Sequence, residues 1–210
     1  KPINLAFALQ EEVINQHETI YDNGQIRVGG WSLGNWDNKP NGLIDFAKVL
    51  QVSSNVGMVK TMQKLSPQKH WDWLERLEID QRPHTDLPGS VGGQMRSKEL
   101  FVNQPIHQAV ASYGQGFSIT PLKLAQLHAL IANGGKLVSP HITKGFKDQY
   151  SLSKNSENQL LDPTVAKTVL SWMESVVDSY GDGSVKTDNY RIGGKTGTAD
   201  QTKDGLGYSS

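Results

Sequence analysis

A lysine set among small residues is the part of this sequence whose chemistry is easiest to anticipate. Residues 193–198 read Gly-Gly-Lys-Thr-Gly-Thr, so Lys195 is followed by hydroxyl groups one and three positions later. A strand with so few side chains lets another backbone approach closely, and its ammonium and hydroxyl groups suit an anionic ligand lying along it. Two kinds of site fit: a phosphate-binding loop and the edge strand of an acyl-transfer cleft.

The phosphate-loop interpretation requires one more glycine. Its motif is G-x-x-x-x-G-K-[ST], which places a glycine five residues before Gly194. Asn189 stands at that position. The sequence therefore favours the acyl-transfer interpretation, in which residues 195–198 line the substrate.

Two further polar elements are predicted to lie near helix boundaries. Ser53-Ser54-Asn55 interrupts an apolar 3.6-residue period that runs over residues 42–64, which predicts a turn between two helical halves. Lys1-Pro2 opens an apolar segment predicted to be helical to about residue 15, since proline is tolerated in a first helical turn. In an S-x-x-K arrangement the serine would stand three residues before Lys1, outside this sequence.

The composition narrows the class of protein. Twenty-one basic residues balance twenty-one acidic ones, so no excess of positive charge indicates nucleic acid as a partner. The chain has no cysteine, which excludes a thiolate nucleophile. No apolar run approaches the roughly 18 residues that span a bilayer, and the six histidines lack the H-x-x-x-H spacing of a zinc site. We expect a globular protein without metal or cofactor.

The remaining segments alternate helices with loops. Residues 81–101 are rich in proline and glycine and are predicted to be a loop, and Asp22-Asn23-Gly24 predicts a hairpin turn. Short strands are expected at 137–138 and 142–143, and a glycine turn at 181–183. Helices are predicted at 66–77, at 104–117, at 120–132 and from 162 onward. The helix from 120 is capped by Thr120, and its predicted apolar face comprises Leu122, Leu124, Ala125, Leu127, Leu130 and Ile131.

In their order along the chain these elements resemble a known family. S-x-x-K, serine-x-asparagine and K-T-G together are the signature of β-lactamases and penicillin-binding proteins. Most of the chain is similar to the transpeptidase domain of a class B penicillin-binding protein, and the stretches that carry the similarity are residues 52–56, 85–89, 113–116, 120–125 and 132–135. Residues 85–97, and residues 89–93 above all, resemble the division-specific branch of that family.

The resemblance implies an α+β fold in which an antiparallel sheet flanked by helices joins an all-helical lobe. Residues 1 to about 135 would form the mainly helical lobe. Residues from about 136 to 210 would return to the α/β lobe, with the K-T-G strand at the edge of the cleft. The serine segment and the C-terminal strands would lie outside residues 1–210, so the chain is expected to be a partial transpeptidase domain, cut at both ends and inactive alone.

The resemblance also implies serine acyl transfer, with four catalytic residues within this chain. Lys1 would accept a proton if burial or another cation lowered its pKa, and Lys195 is the candidate second cation. Ser53 would relay a proton toward the leaving group, and Asn55 would hold Lys1 and the substrate amide. Which group is the base in the acylation step stays open.

The last motif would bind the substrate. The hydroxyl groups of Thr196 and Thr198 would hold the substrate carboxylate, and Gly197 would leave the strand open to a peptide backbone. A backbone N–H near Thr198 would supply one of the two donors of an oxyanion hole.

The implied substrate is the D-alanyl-D-alanine end of a peptidoglycan stem peptide, with β-lactams as covalent inhibitors. The parent protein would be anchored in the inner membrane with this domain outside the cytoplasm, in the periplasm. Its partners would be a membrane glycosyltransferase and divisome or elongasome proteins.

Two alternatives belong to the same superfamily. One is a β-lactamase, although the nearest match to its E-x-x-L-N loop, residues 157–161, ends in Leu161 instead of asparagine. The other is a β-lactam-sensing receptor domain.

Overall fold

The elements that position the site are mostly short. In this computed structural model the described residues are 1–143, 158–180, 185 and 187–198, together with the backbone of 201–202 and 208–209. The helices are α1 (Pro2–Gln10), α2 (Phe46–Gln51), α3 (Asn55–Met62), α4 (Pro67–Arg76), α5 (Lys98–Asn103), α6 (Pro105–Tyr113), α7 (Pro121–Ala132) and α8 (Pro163–Ser179). The strands are β1 (Thr19–Asp22), β2 (Gln25–Val28), β3 (Trp31–Gly34), β4 (Gly42–Asp45), β5 (Lys136–Leu137), β6 (Asn158–Gln159), β7 (Gln201–Thr202) and β8 (Tyr208–Ser209).

Proline and capping side chains set where the helices begin. Helices α1, α4, α6, α7 and α8 each start at a proline, whose missing N–H would have had no partner in the first turn. Ser66 and Thr120 accept hydrogen bonds from the backbone N–H groups of Lys69 and Lys123, as N-caps do. The helices predicted from residues 66, 104, 120 and 162 are thereby confirmed.

Helix α8 lies at the centre of the core. It packs against α1, α2 and α7, and the buried apolar side chains in this contact include Leu5, Phe7, Leu50, Leu130, Val169 and Met173. Helix α3, which carries the serine-x-asparagine element at its start, packs against α1 and α6. Helix α1 contacts both α3 and α8, and Lys1, the N-cap of α1, lies beside Asn55 at the start of α3.

The hairpin predicted at Asp22-Asn23-Gly24 would pair the strands on either side of that turn. This prediction is wrong. Strand β1 pairs antiparallel with β4, and β2 pairs with β3. The carboxylate of Asp22 is fully buried and accepts a hydrogen bond from the backbone N–H of Gly24 at 2.8 Å. This bond turns the chain away from β1, so the partner of β1 comes from further along the sequence.

Two other boundaries differ from expectation. Helix α1 ends at Gln10 instead of near residue 15, because Glu12 has φ +55°, a left-handed conformation that a helix does not continue through. Residues 42–45, predicted to be helical, form strand β4, and the helix starts only where Asp45 accepts a hydrogen bond from the N–H of Lys48.

Residues 142–143 are not a strand, since their backbone N–H groups donate to the carboxylate of Asp86 at 2.8 Å each. The predicted turn at 181–183 lies outside the described residues. In the part of the chain that the structure describes, no helix combines the length and apolar character needed to cross a membrane.

The predicted apolar face of α7 is partly wrong. Leu124 is 46% exposed, whereas Lys123 is only 1% exposed. Lys123 lies four and seven residues before Leu127 and Leu130, so it shares their buried face. Its ammonium group donates to the backbone oxygen of Leu77, the residue at the end of α4, at 3.0 Å. The ammonium group of this buried lysine therefore connects α7 to the end of α4.

Candidate active site

The serine-x-asparagine element forms the predicted turn between two helices. Ser53 lies between α2 and α3 with φ +56°, a left-handed conformation that costs a residue with a side chain about 1 to 2 kcal/mol. Ser54 is the N-cap of α3, and its hydroxyl accepts a hydrogen bond from the N–H of Gly57 at 2.7 Å. This backbone conformation directs the side chains of Ser53 and Asn55 toward α1.

The ammonium group of Lys1 is the centre of the site. Its Nζ donates to the backbone oxygen of Ser53 at 2.8 Å, to Ser53 Oγ at 2.9 Å and to Asn55 Oδ1 at 2.7 Å. These three acceptors match the three protons of an ammonium group. The structure thus brings together Lys1, Ser53 and Asn55, which lie more than fifty residues apart in the sequence.

Two physical effects adjust the basicity of Lys1. Burial and, second, the positive charge of Lys195 lower the pKa of the Lys1 side chain from its usual 10.5 to about 7. Burial also lowers the pKa of Lys195. Near neutral pH a substantial fraction of Lys1 is therefore an uncharged amine that can accept a proton.

The side chain of Asn55 has a fixed orientation. Its Oδ1 accepts from Lys1, while its Nδ2 donates to the backbone oxygen of Gly34 at 2.9 Å. The N–H groups of Asn55 and Val56 donate to Asn35 Oδ1 at 2.9 Å and 3.2 Å. The amide of Asn55 is therefore held at both ends, with its oxygen toward Lys1.

Asn35 is a residue that sequence reasoning missed. It caps the first N–H groups of α3 from a position eighteen residues before Ser53. The local capping signal of α3 is already met by Ser54, so no pattern within the helix indicates a second cap. Only the pairing of the neighbouring strands places Asn35 there.

The K-T-G motif runs beside helix α8. The N–H of Gly194 donates to the backbone oxygen of Met173 at 3.1 Å, and a Cβ added to Gly193 would lie 3.2 Å from Met173 Cβ. The predicted edge strand is not seen here: residues 191–198 pair with no strand in the described part of the chain. A strand is defined by its pairing, and the described neighbour of this segment is a helix.

The residues that follow Lys195 are open to solvent. Thr196, Gly197 and Thr198 are exposed, and a Cβ added to Gly197 would meet no atom of the described residues within 4 Å. The ammonium group of Lys195 donates to the backbone oxygen and the hydroxyl of Thr196, each at 3.0 Å. Lys195 therefore acts on Lys1 through its charge, while the three residues after it leave room for a ligand.

Metal ligation is not indicated. Over the described ranges, no group of three or more His, Asp or Glu side chains is placed to hold a metal ion.

Replacing Lys195 with methionine should raise the pKa of Lys1, because the second cation is removed while much of the burial remains. The measurement is the NMR titration of the Lys1 side chain in the complete protein. Lys167→Met is the matched control, since Lys167 is exposed on α8. An unchanged titration midpoint in Lys195→Met would contradict the charge coupling between the two lysines.

Comparison with known proteins gives a consistent result. The family model described as "Penicillin binding protein transpeptidase domain" matches residues 1–210. A relative from Mesostigma viride, "Peptidoglycan D,D-transpeptidase FtsI homolog", is 33% identical over 100% of this chain and 40% of its own length. "Stage V sporulation protein D" of Bacillus subtilis (strain 168) is 32% identical over 98% of this chain and 32% of its own length.

A solved structure extends the similarity to the fold. The apo transpeptidase domain of penicillin-binding protein 3 from Burkholderia pseudomallei superimposes with a TM-score of 0.85 at 29% identity, covering 100% of this chain and 61% of that one. The expected α+β fold is confirmed. The chain spans less than half the length of both curated relatives.

Proposed function

Because the chain belongs to the penicillin-binding protein transpeptidase family, we propose that the complete protein is a serine-type D,D-transpeptidase that cross-links peptidoglycan stem peptides. The observation that carries this proposal is the contact of Lys1, whose pKa is about 7, with Ser53 and Asn55. The nucleophile is a serine three residues before Lys1 in the complete protein. On a helix, residues three apart lie on one face, so its hydroxyl faces the Lys1 amine.

During acylation the serine oxygen replaces the D-alanine amine on the carbonyl carbon. Two proton transfers accompany this exchange. The serine oxygen attacks the carbonyl carbon of the terminal peptide bond, and its proton passes to the neutral Nζ of Lys1. The tetrahedral intermediate then loses the D-alanine amine, which takes the proton from Lys1 through Ser53 Oγ, 2.9 Å from Nζ. The amine of a second stem peptide then attacks the same carbonyl carbon, the bond from that carbon to the serine oxygen breaks, and the proton lost by the amine passes through Lys1 to the serine oxygen.

The K-T-G segment binds the substrate in this proposal. Thr196 and Thr198 hold the terminal carboxylate with their hydroxyl groups beside the positive charge of Lys195. The open space at Gly197 admits the peptide backbone. Among the described residues, none accepts a hydrogen bond from the N–H of Thr198, which leaves that N–H available for the oxyanion.

A β-lactam reacts at the same serine, since its strained amide occupies the place of the terminal peptide bond. The parent protein holds this domain on the outer side of the inner membrane, and its partners are a membrane glycosyltransferase and the divisome or elongasome. Residues 1–210 are then part of the transpeptidase domain, mainly helical to about 135 and returning to the α/β lobe thereafter.

One observation weighs against a class A β-lactamase. Leu160 and Leu161, at the end of the nearest match to E-x-x-L-N, are buried in the hydrophobic core. Leu161 stands where that loop has asparagine, and its buried apolar side chain cannot hydrogen-bond a hydrolytic water. Without that asparagine, we expect the acyl-enzyme formed with penicillin to be long-lived.

Labelling with fluorescent penicillin tests the proposed function. The complete protein should form a stable covalent adduct that peptide mapping places on the serine three residues before Lys1. The isolated chain of residues 1–210 should form none. An adduct within residues 1–210, or a complete protein that penicillin does not acylate, would contradict the proposal.

A further inference from the structure

A buried carboxylate lies behind the serine-x-asparagine turn. Asp22, the last residue of β1, has no exposed surface. Its Oδ2 accepts hydrogen bonds from Ser54 Oγ at 2.6 Å, from Asn41 Nδ2 at 2.7 Å and from Asn35 Nδ2 at 2.8 Å. Its Oδ1 accepts from the N–H of Gly24 at 2.8 Å. Both oxygens of this side chain are therefore saturated.

Neutral donors alone compensate the charge of Asp22. Burial raises the pKa of its carboxyl group, but the hydrogen bonds from Ser54, Asn41, Gly24 and Asn35 outweigh burial, so the pKa lies below its usual value. Within the described part of the chain, Asp22 forms no ion pair. A buried charge is retained only where its hydrogen bonds are satisfied, so the network tolerates little displacement of its donors.

Two arms connect this carboxylate to the turn. In the first, Ser54 donates to Asp22 while its Oγ accepts the N–H of Gly57. In the second, Asn35 donates to Asp22 while its Oδ1 accepts the N–H groups of Asn55 and Val56. The arms thus fix the residues that directly follow Ser53.

The turn needs such support. Ser53 is held in the left-handed region at φ +56°, and such conformations persist only where the surroundings enforce them. Ser53 Oγ faces Lys1, and among the described residues no hydrogen bond joins it to Asp22. The constraint on Ser53 therefore comes through the backbone of the residues after it.

We propose that Asp22 is a positioning residue for acyl transfer: its buried carboxylate, acting through Ser54 and Asn35, holds Ser53 and Asn55 against Lys1. The inference rests on the proposed function. Among the described residues, no hydrogen bond joins Asp22 to Lys1 or to the K-T-G segment. Its loss should therefore slow the chemical step more than it weakens the binding of the ligand.

Asp22→Asn in the complete protein is the primary test. Asparagine keeps the shape but turns an N–H₂ group toward donors that need an acceptor. The rate constant for acylation by penicillin should fall about 10- to 100-fold, while the non-covalent dissociation constant of penicillin changes less than threefold. Asp37→Asn is the matched control, since Asp37 lies two residues after Asn35, between β3 and β4, and among the described residues its carboxylate accepts a hydrogen bond from the N–H of Lys39 alone. It should acylate as the parent does.

A swap of the two side chains separates positioning from general stability. In Asp22→Asn/Asn35→Asp, the new carboxylate at 35 still accepts the N–H groups of Asn55 and Val56, and its negative charge is favoured at the N-terminus of α3. The amide at 22 donates to it and accepts from Ser54. This double variant should regain at least a third of the lost rate. If Asp22 only stabilised the fold, the loss of acylation rate would follow the folded fraction in a thermal melt, and the remaining folded protein would be acylated at the parent rate. That result would overturn the proposal.

Hydrogen exchange provides a readout that does not depend on activity. The amides of Asn55, Val56 and Gly57 should exchange at least tenfold faster in Asp22→Asn, with α8 unchanged, and should recover in the swap variant. Unchanged exchange would overturn the proposal, as would faster exchange with an unchanged acylation rate. If penicillin does not acylate the parent, the proposed function fails, while the exchange data still decide whether Asp22 holds the turn.

Discussion

Lys1→Arg in the complete protein should reduce the rate of acylation by penicillin about 100- to 10,000-fold, the range associated with loss of a general base. Arginine keeps the positive charge but cannot lose its proton at any pH at which the protein is folded. Its planar guanidinium group also cannot reproduce the contacts of Nζ with the two oxygens of Ser53 and with Asn55. Loss of rate at retained charge, together with a parent rate that rises with pH through about 7, would identify proton transfer as the role of Lys1.

The pH dependence of acylation by the parent protein tests the same role of Lys1. Because Lys1 must be neutral to accept a proton, acylation should rise with pH through about 7 and level off above it. Below that pH the ammonium form predominates and the rate falls about tenfold per pH unit. The stopped-flow rate of acylation, measured from pH 5 to pH 9, tests this.

The control for the arginine variant is Lys64→Arg, since Lys64 is exposed and forms a surface ion pair with Glu18. It should acylate as the parent does. If Lys1→Arg kept more than a tenth of the parent rate, or if the parent rate were flat from pH 5 to pH 9, Lys1 would not be the base.

Removing the hydroxyl of Ser53 should have the second-largest effect. Both Ser53→Ala and Ser53→Gly remove the oxygen that lies 2.9 Å from Lys1 Nζ, so both should slow acylation about 100-fold or more if that oxygen relays the proton. The two variants differ in the backbone. Glycine adopts φ +56° without strain, whereas alanine does not.

The pair of variants separates chemistry from folding. Ser53→Gly should melt at a temperature equal to or above that of Ser53→Ala. The acylation rate should fall by the same factor in both variants. Ser171→Ala, on the exposed face of α8, should change neither quantity. Acylation at the parent rate in either Ser53 variant would remove this hydroxyl from the mechanism.

Short-range patterns predicted the helices and the order of the motifs. Proline at the first helical position and a hydroxyl just before it located the starts of α4 and α7. These signals act within four residues, so they can be read directly from the sequence. The same local rules failed where a residue binds a partner far away in the sequence. Asp22 accepts hydrogen bonds from Ser54 and Asn35 and does not close the predicted hairpin.

The burial of Lys123 shows a similar limit. The helical period placed Leu127, Leu130 and Ile131 correctly on the buried face of α7. Residue type, however, added Leu124 to that face and left Lys123 out of it. The tertiary structure reversed the two because a backbone oxygen at the end of α4 lies within reach of the ammonium group. Residue type alone does not reveal such an acceptor.

For the candidate site, the sequence by itself determined which residue types are present and in what order: Lys1, the Ser53–Asn55 element and the K-T-G motif. Only the tertiary structure decided that Lys1 contacts Ser53 and Asn55, that its pKa is about 7, and that Asp22 and Asn35 support the turn. The physical reason is that hydrogen bonds across 13 to 54 residues, and the burial that shifts a pKa, depend on how helices and strands pack together, which no local pattern specifies.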